Sequence, residues 1–183
     1  ISQLAPYLSL VVPVYNEVDN LRLLCQKISE VLDETHWAYE AILVDDGSLD
    51  GSAELLVELY HAYSWLKVVR FRRNFGQTAA LAAGFAQAQG EVIVSLDADL
   101  QNDPADIPQL VDKLNEGYDL VNGWRVDRQD PFWQRRLPSQ IANRMISLLT
   151  QVKLHDYGCT LKAFRRHIAK DLKLYGEMHR FIP

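Results

Sequence analysis

Short apolar runs of strand length alternate along this chain with stretches of helical periodicity, and three of the first four runs stop at carboxylates. No other feature narrows the fold as far. Residues 8–14 read as a buried strand, and Leu21, Leu24, Ile28 and Val31 share one stripe of the helix that follows. Residues 41–44 form a second strand, before a helix marked by Leu55, Leu56, Leu59 and Tyr63. A third strand at 67–71 leads into an Ala-rich helix over 77–89, and a fourth covers 91–96. Asp103 and Pro104 read as N-cap and first-turn proline of a helix running to Leu114, with a strand at 118–122 beyond it. This repetition predicts an α/β fold, a Rossmann-like, mostly parallel sheet flanked by helices on both faces. After residue 123 the regularity weakens: 125–136 is polar and loop-like, 139–149 helical, and 156–166 a loop and strand.

With 183 residues and 48% hydrophobic content, the chain is expected to form one domain over 1–183. Charge divides it. Residues 1–122 carry a net −12 and residues 123–183 a net +7, so the first part suits a cation and the second suits anions, unless these are solvated surface charges. The overall −5 argues against a general nucleic-acid binder. Cys25, in a helical pattern, and Cys159, in a polar loop, provide neither a disulfide framework nor metal-ligand spacing, which fits a reducing compartment. Residues 1–7 lack the basic start and apolar run of a signal peptide, and no stretch approaches the roughly 18 apolar residues of a membrane span.

Ligands of open α/β sheets bind beyond the carboxyl ends of the strands. Read in order, those ends are Pro13-Val14-Tyr15-Asn16-Glu17, Asp45-Asp46-Gly47-Ser48-Leu49-Asp50, Arg73-Asn74-Phe75-Gly76 and Asp97-Ala98-Asp99-Leu100-Gln101. Crowding carboxylates at one edge is unfavourable unless a cation or hydrogen-bond donors compensate, and a divalent ion bound with nucleotide phosphates does so economically. Neither G-x-G-x-x-G after the first strand nor a P-loop motif occurs, which weighs against a dinucleotide oxidoreductase and a P-loop NTPase.

These motifs, in this order at these strand ends, resemble family 2 glycosyltransferases. Gly123-Trp124-Arg125, the run from Asp156 to Arg165 and His179-Arg180-Phe181 resemble its polyprenyl-phosphate branch, which includes dolichyl-phosphate mannose synthases, bactoprenol glucosyltransferases and aminoarabinose transferases. The likeness covers nearly the whole chain. It implies a GT-A fold and an inverting transfer of a hexosyl group from a nucleoside diphosphate sugar, UDP-glucose first, to polyprenyl (undecaprenyl) phosphate. The reaction is expected at the cytoplasmic face of the cell membrane, with Mg²⁺ or Mn²⁺ as cofactor. The branch commonly continues into transmembrane helices, expected here beyond residue 183, and homo-oligomerisation is left open. Two rival readings are a soluble carbohydrate acceptor and a nucleotide-binding module without turnover.

By resemblance, Pro13, Tyr15, Glu17, Asp46, Asp97 and Arg180 border the donor, and Asp99 and Gln101 ligate the metal, with Asp97 on the ion or on nearby donor groups. Glu17 could instead simply begin the first helix, and Gln101 could be a solvated loop amide. Asp45 could be a turn residue, while Asp50 reads as a cap and stays outside the site. Asp97 and Asp99 point to the same side of an extended segment, since side chains there alternate with period two. Arg72, Arg73 and Asn74 are either donor contacts or a basic surface turn. The family places the acceptor phosphate near Arg125 and Arg128, and arginine suits bidentate phosphate recognition; Lys162 is either a further acceptor contact or a solvated residue on a strand face. Asp156 invites the label of general base, but a phosphate acceptor is already ionised, so orienting a basic residue or the sugar is the alternative. Arg165 and Arg166 mix solvation with phosphate contact. Residues 139–149 bear Ile141, Met145, Leu148 and Leu149 on one side and Arg135, Arg136 and Arg144 nearby, a pattern for a membrane interface or for ordinary core packing.

Overall fold

The computed structural model describes residues 5–124 and 159–172. Its first two strands, β1 (Leu8–Val14) and β2 (Tyr39–Asp45), are almost wholly buried, as near-continuous apolar runs must be when helices cover both faces. Between them lies α1 (Val18–Asp33), whose buried stripe is Leu21, Leu24, Cys25, Ile28 and Leu32. Leu32 therefore takes the place expected for Val31, which packs only partly against the core. There follow α2 (Ser52–Ala62), with Tyr63 as its C-cap, β3 (Leu66–Arg70), α3 (Gln77–Gln87) and β4 (Val92–Ser95). Asp103 caps as expected, accepting from the Ala105 amide, but the turn it starts, Pro104–Asp106, is 3-10, and α4 (Ile107–Asn115) begins only afterwards. The sheet is completed by β5 (Leu120–Asn122) and β6 (Lys162–Arg165), and α5 (Arg166–Asp171) follows.

The strand order is β3-β2-β1-β4-β6-β5. β1 pairs in parallel with both β2 and β4, and β2 with β3, whereas β6 runs antiparallel between β4 and β5. The reversal at β6 has a simple cause. The chain leaves β5 at Gly123 and re-enters the sheet at the same end, where the Gly123 amide donates to the Leu161 carbonyl at 2.8 Å, so the returning strand must point back.

Alternate residues of the central strands feed two cores. Leu10, Val12, Ala41 and Leu43 pack with α1, α2 and α4, while Val11, Ile42 and Val44 pack with α3 and α5. The Ala-rich α3 lies close on β1: a Cβ built on Gly84 would stand 2.3 Å from Val11 Cγ1. Among the described residues, no helix is long and apolar enough to cross a membrane.

Candidate active site

Successive strands leave β1 in opposite directions, towards β2 and β3 on one side and β4 on the other, so the sheet has a topological switch point between β1 and β4. A cleft of about 270 Å³ opens there. Pro13, Val14, Tyr15 and Glu17 line it from the end of β1, Asp46 from β2, Asn74, Gly76 and Gln77 from the start of α3, and Asp97, Ala98 and Asp99 from β4. Six residues expected near a donor or metal, Pro13, Tyr15, Glu17, Asp46, Asp97 and Asp99, are thus brought together. Asn74 joins them, while Arg72 and Arg73 do not line the cleft; Arg73 is exposed with its guanidinium 4.9 Å from the Phe75 ring centroid.

The β1–α1 loop is strapped to the loop after β2 by four hydrogen bonds. The Asn16 amide donates to Ser48 Oγ at 3.0 Å, and the Leu49 amide returns one to Asn16 Oδ1 at 2.8 Å. Below them the Glu17 amide donates to Ser52 Oγ at 2.9 Å and the Val18 amide to Asp50 Oδ2 at 3.0 Å. Asn16 adopts φ 56°, a left-handed conformation that asparagine tolerates better than most residues. Asp50 is accordingly a cap for two helices, since its Oδ1 accepts from both the amide and the hydroxyl of Ser52. Burial would raise its carboxyl pKa, but the bonds from Ser52 and Val18 outweigh that and hold it below its ordinary value. Glu17 does begin α1, as its N-cap, and still faces the cleft; its Oε2 accepts from Asn20 Nδ2 at 2.6 Å.

Asp45 and Asp46 divide the work at the end of β2. Asp45 is fully buried, accepts the Ser48 amide at 2.9 Å through Oδ1, and turns Oδ2 towards Arg70 Nε at 3.5 Å. It is the turn residue. Asp46 accepts the Phe75 amide at 2.7 Å and the Gly76 amide at 2.8 Å, one on each oxygen, and so holds the β3–α3 loop against the cleft. Gly47 makes that close approach feasible: at φ +74°, any Cβ would lie 2.5 Å from the Arg73 carbonyl carbon.

At the end of β4, Asp97 Oδ1 accepts from Gln77 Nε2 at 2.7 Å, and Asp99 Oδ1 accepts from the Gln101 amide at 3.1 Å. Gln101 itself is exposed and outside the cleft lining. Asn102 is buried and ties the loop to the approach of β6, donating to Thr160 Oγ1 at 3.0 Å and accepting from Cys159 Sγ at 3.6 Å. Cys159 belongs to the core, at 1% exposure, rather than to a polar loop. Among the described residues no three His, Cys, Asp or Glu side chains gather to hold a metal by themselves. The Asp97 and Asp99 carboxylates nevertheless fit a hard divalent cation whose other ligands are phosphate and water oxygens.

Lys162 opens β6, level with Ser95 and Asn122 at the cleft end of the sheet, and is 97% buried, at 3% exposure, with Nζ bonded to Asn122 Oδ1. Of the two readings the sequence left for Lys162, a solvated strand face does not fit this burial. Arg125, Arg128, Asp156 and Arg180 lie outside the described residues, as do 125–136, 139–149 and His179 to Phe181. Gln77, Asn102 and the Ser48 and Ser52 straps are the parts that sequence reasoning missed. Only Ser48, inside a motif, carried any signal.

Residues 9–173 match the glycosyl transferase family 2 profile. The chain belongs to this family. Among curated proteins, this family 2 chain is 46% identical to a dodecaprenyl-phosphate galacturonate synthase of Rhizobium johnstonii, over 96% of the chain and 53% of that protein. It is 45% identical to an undecaprenyl-phosphate 4-deoxy-4-formamido-L-arabinose transferase of Pseudomonas aeruginosa, over 96% and 52%. The chain thus spans about half the length of the curated relatives it matches. Its fold is that of GT-A glycosyltransferases. Glucosyl-3-phosphoglycerate synthase of Mycobacterium tuberculosis, solved with Mn²⁺ and UDP, superposes with a TM-score of 0.64 at 20% identity, covering 89% of this chain and 58% of that one. The mannosyltransferase PcManGT of Pyrobaculum calidifontis, solved with GDP-mannose and Mn²⁺, gives 0.63 at 21% identity, covering 95% and 48%.

Proposed function

We propose that this chain is the catalytic domain of an enzyme that transfers a hexosyl group, with inversion, from a nucleoside diphosphate sugar to a polyprenyl phosphate at the cytoplasmic face of a membrane. The observation that carries the reading is the convergence of Asp46, Asp97 and Asp99 on one cleft at the switch point of a family 2 fold. The names of the two curated relatives, both polyprenyl-phosphate enzymes, support the acceptor class. UDP-glucose is the donor we propose on the motif pattern, and the relatives' names widen the panel to a galacturonate and a 4-deoxy-4-formamido-arabinose.

In this reading Pro13, Tyr15, Glu17, Asp46 and Asp97 receive the donor, and Arg180 closes over its diphosphate. Asp97 and Asp99, assisted by Gln101, would hold Mg²⁺ or Mn²⁺, which when bound neutralises the charge developing on the departing diphosphate. Arg125, Arg128 and Lys162 take the acceptor phosphate and bring its oxygen in line with the anomeric carbon. That oxygen is ionised near neutral pH, so no base has to remove a proton, and Asp156 orients a basic residue or the sugar instead.

The test uses the full-length protein with radiolabelled polyprenyl phosphate in detergent, the three UDP-sugars singly, and Mg²⁺, Mn²⁺ or EDTA. Label should move to a sugar-bearing lipid with at least one donor, and EDTA should abolish it. Transfer to a water-soluble sugar acceptor with none to the lipid phosphate would overturn the acceptor assignment.

A further inference from the structure

Gln77 is the first residue of α3, and none of the donor, cation or acceptor assignments uses it. Its side-chain amide nevertheless donates to Asp97 Oδ1 at 2.7 Å, and both residues line the cleft. Its placement is built in from both sides. The amides of the two residues before it, Phe75 and Gly76, are clamped by the two oxygens of Asp46, and the helix it opens is seated on β1 through Gly84.

The choice of side chain matters chemically. A carboxylate that is to meet a cation must keep its charge, so a lysine or arginine in this place would compete with the ion it serves. An apolar side chain would offer Asp97 Oδ1 no donor. A neutral amide N–H fixes one oxygen and leaves the group anionic. Partners of this kind orient ligating carboxylates, and their loss typically weakens metal affinity about 10–100-fold.

We propose that Gln77 is a positioning residue that fixes the orientation of Asp97, so that strand β2, through Asp46 and the α3 start, sets the geometry at the end of strand β4. The proposal rests on the reading that Asp97 and Asp99 hold a cation together with a nucleotide. Gln77→Met keeps the length and helix propensity but has no N–H, and Gln77→Lys turns a cation on Asp97. Calorimetric titration of the full-length protein with UDP, and in parallel GDP, over a Mn²⁺ series gives the Mn²⁺ concentration at half-maximal nucleotide binding. Gln77→Met should raise it about 10-fold or more, and Gln77→Lys further, while the thermal midpoint of the nucleotide-free protein stays near that of wild type. An unchanged Mn²⁺ midpoint in Gln77→Met overturns the role of Gln77 alone. So does a lowered thermal midpoint in both variants with no shift in Mn²⁺ dependence, the mark of a merely structural contact. A wild type whose UDP and GDP binding is indifferent to Mn²⁺ overturns the cation reading itself, and the role of Gln77 with it.

Discussion

Asp99 carries a light structural duty at the cleft, since its one described bond is to the Gln101 amide two residues on, whereas Asp46 clamps a loop with both oxygens. Its removal should therefore leave the fold intact and act on the ligand. Asp99→Ala is expected to lose the Mn²⁺ dependence of UDP binding in calorimetry while its thermal midpoint stays close to that of wild type; full Mn²⁺ dependence in the variant would remove Asp99 from the cation site. The strand-end acids were legible in the sequence because several carboxylates at one edge demand compensation. Gln77 was not. It stands twenty positions from Asp97 in an Ala-rich stretch whose pattern signals close packing, and an amide contact between two elements leaves no periodic trace. Lys162 shows the converse: its type suggested a solvated strand face or a phosphate contact, and only its place in β6 reveals that it is enclosed.

At the scale of elements, apolar runs of strand length and period-3.6 patterns located the described helices and strands except the short α5, which follows directly on the expected loop and strand over 156–166; elsewhere the disagreements lie at element ends, as for the 3-10 turn ahead of α4. The antiparallel sense of β6 was not readable, because apolar content does not encode strand direction. The packing of α3 on β1 gives a quantitative test. Gly84→Ala adds a methyl that must displace Val11 Cγ1. Overpacking of this sort costs about 1–3 kcal/mol, and the better helix propensity of alanine returns at most about 1 kcal/mol. The thermal midpoint should fall by a few degrees, and Val11→Ala in the same chain should recover part of the loss. A rise in the single variant would mean that α3 stands off β1.

For the molecule as a whole, acid should be the weak direction. Burial acts to raise the Glu40 pKa, but Lys67 at 2.5 Å, Ser9 at 2.6 Å and the Gln89 amide at 2.8 Å prevail and lower it from 4.5. Asp33 is likewise lowered from 3.8, chiefly by its bond from the Tyr39 hydroxyl. A lowered carboxyl pKa contributes stability that is present above the unfolded value and lost as the pH falls through the folded one. Urea midpoints should therefore hold from neutral pH to about 4.5 and then decline. Glu40→Gln should be less stable than wild type at pH 7 and show a shallower decline below 4.5, and parallel curves would show that Glu40 makes no such contribution.

The order in which the sheet is filled has a consequence for synthesis on the ribosome. β5 is made before β6, yet among the described residues its strand partner is β6, which also covers the flank of β4. Until residues 162–165 emerge, the nascent sheet lacks the strand that covers β4 and pairs with β5. Open borders of this kind recruit other strands. A chain released at residue 124 should accordingly self-associate in light scattering under conditions where the chain through 183 stays dispersed, although it already contains every described residue that lines the cleft.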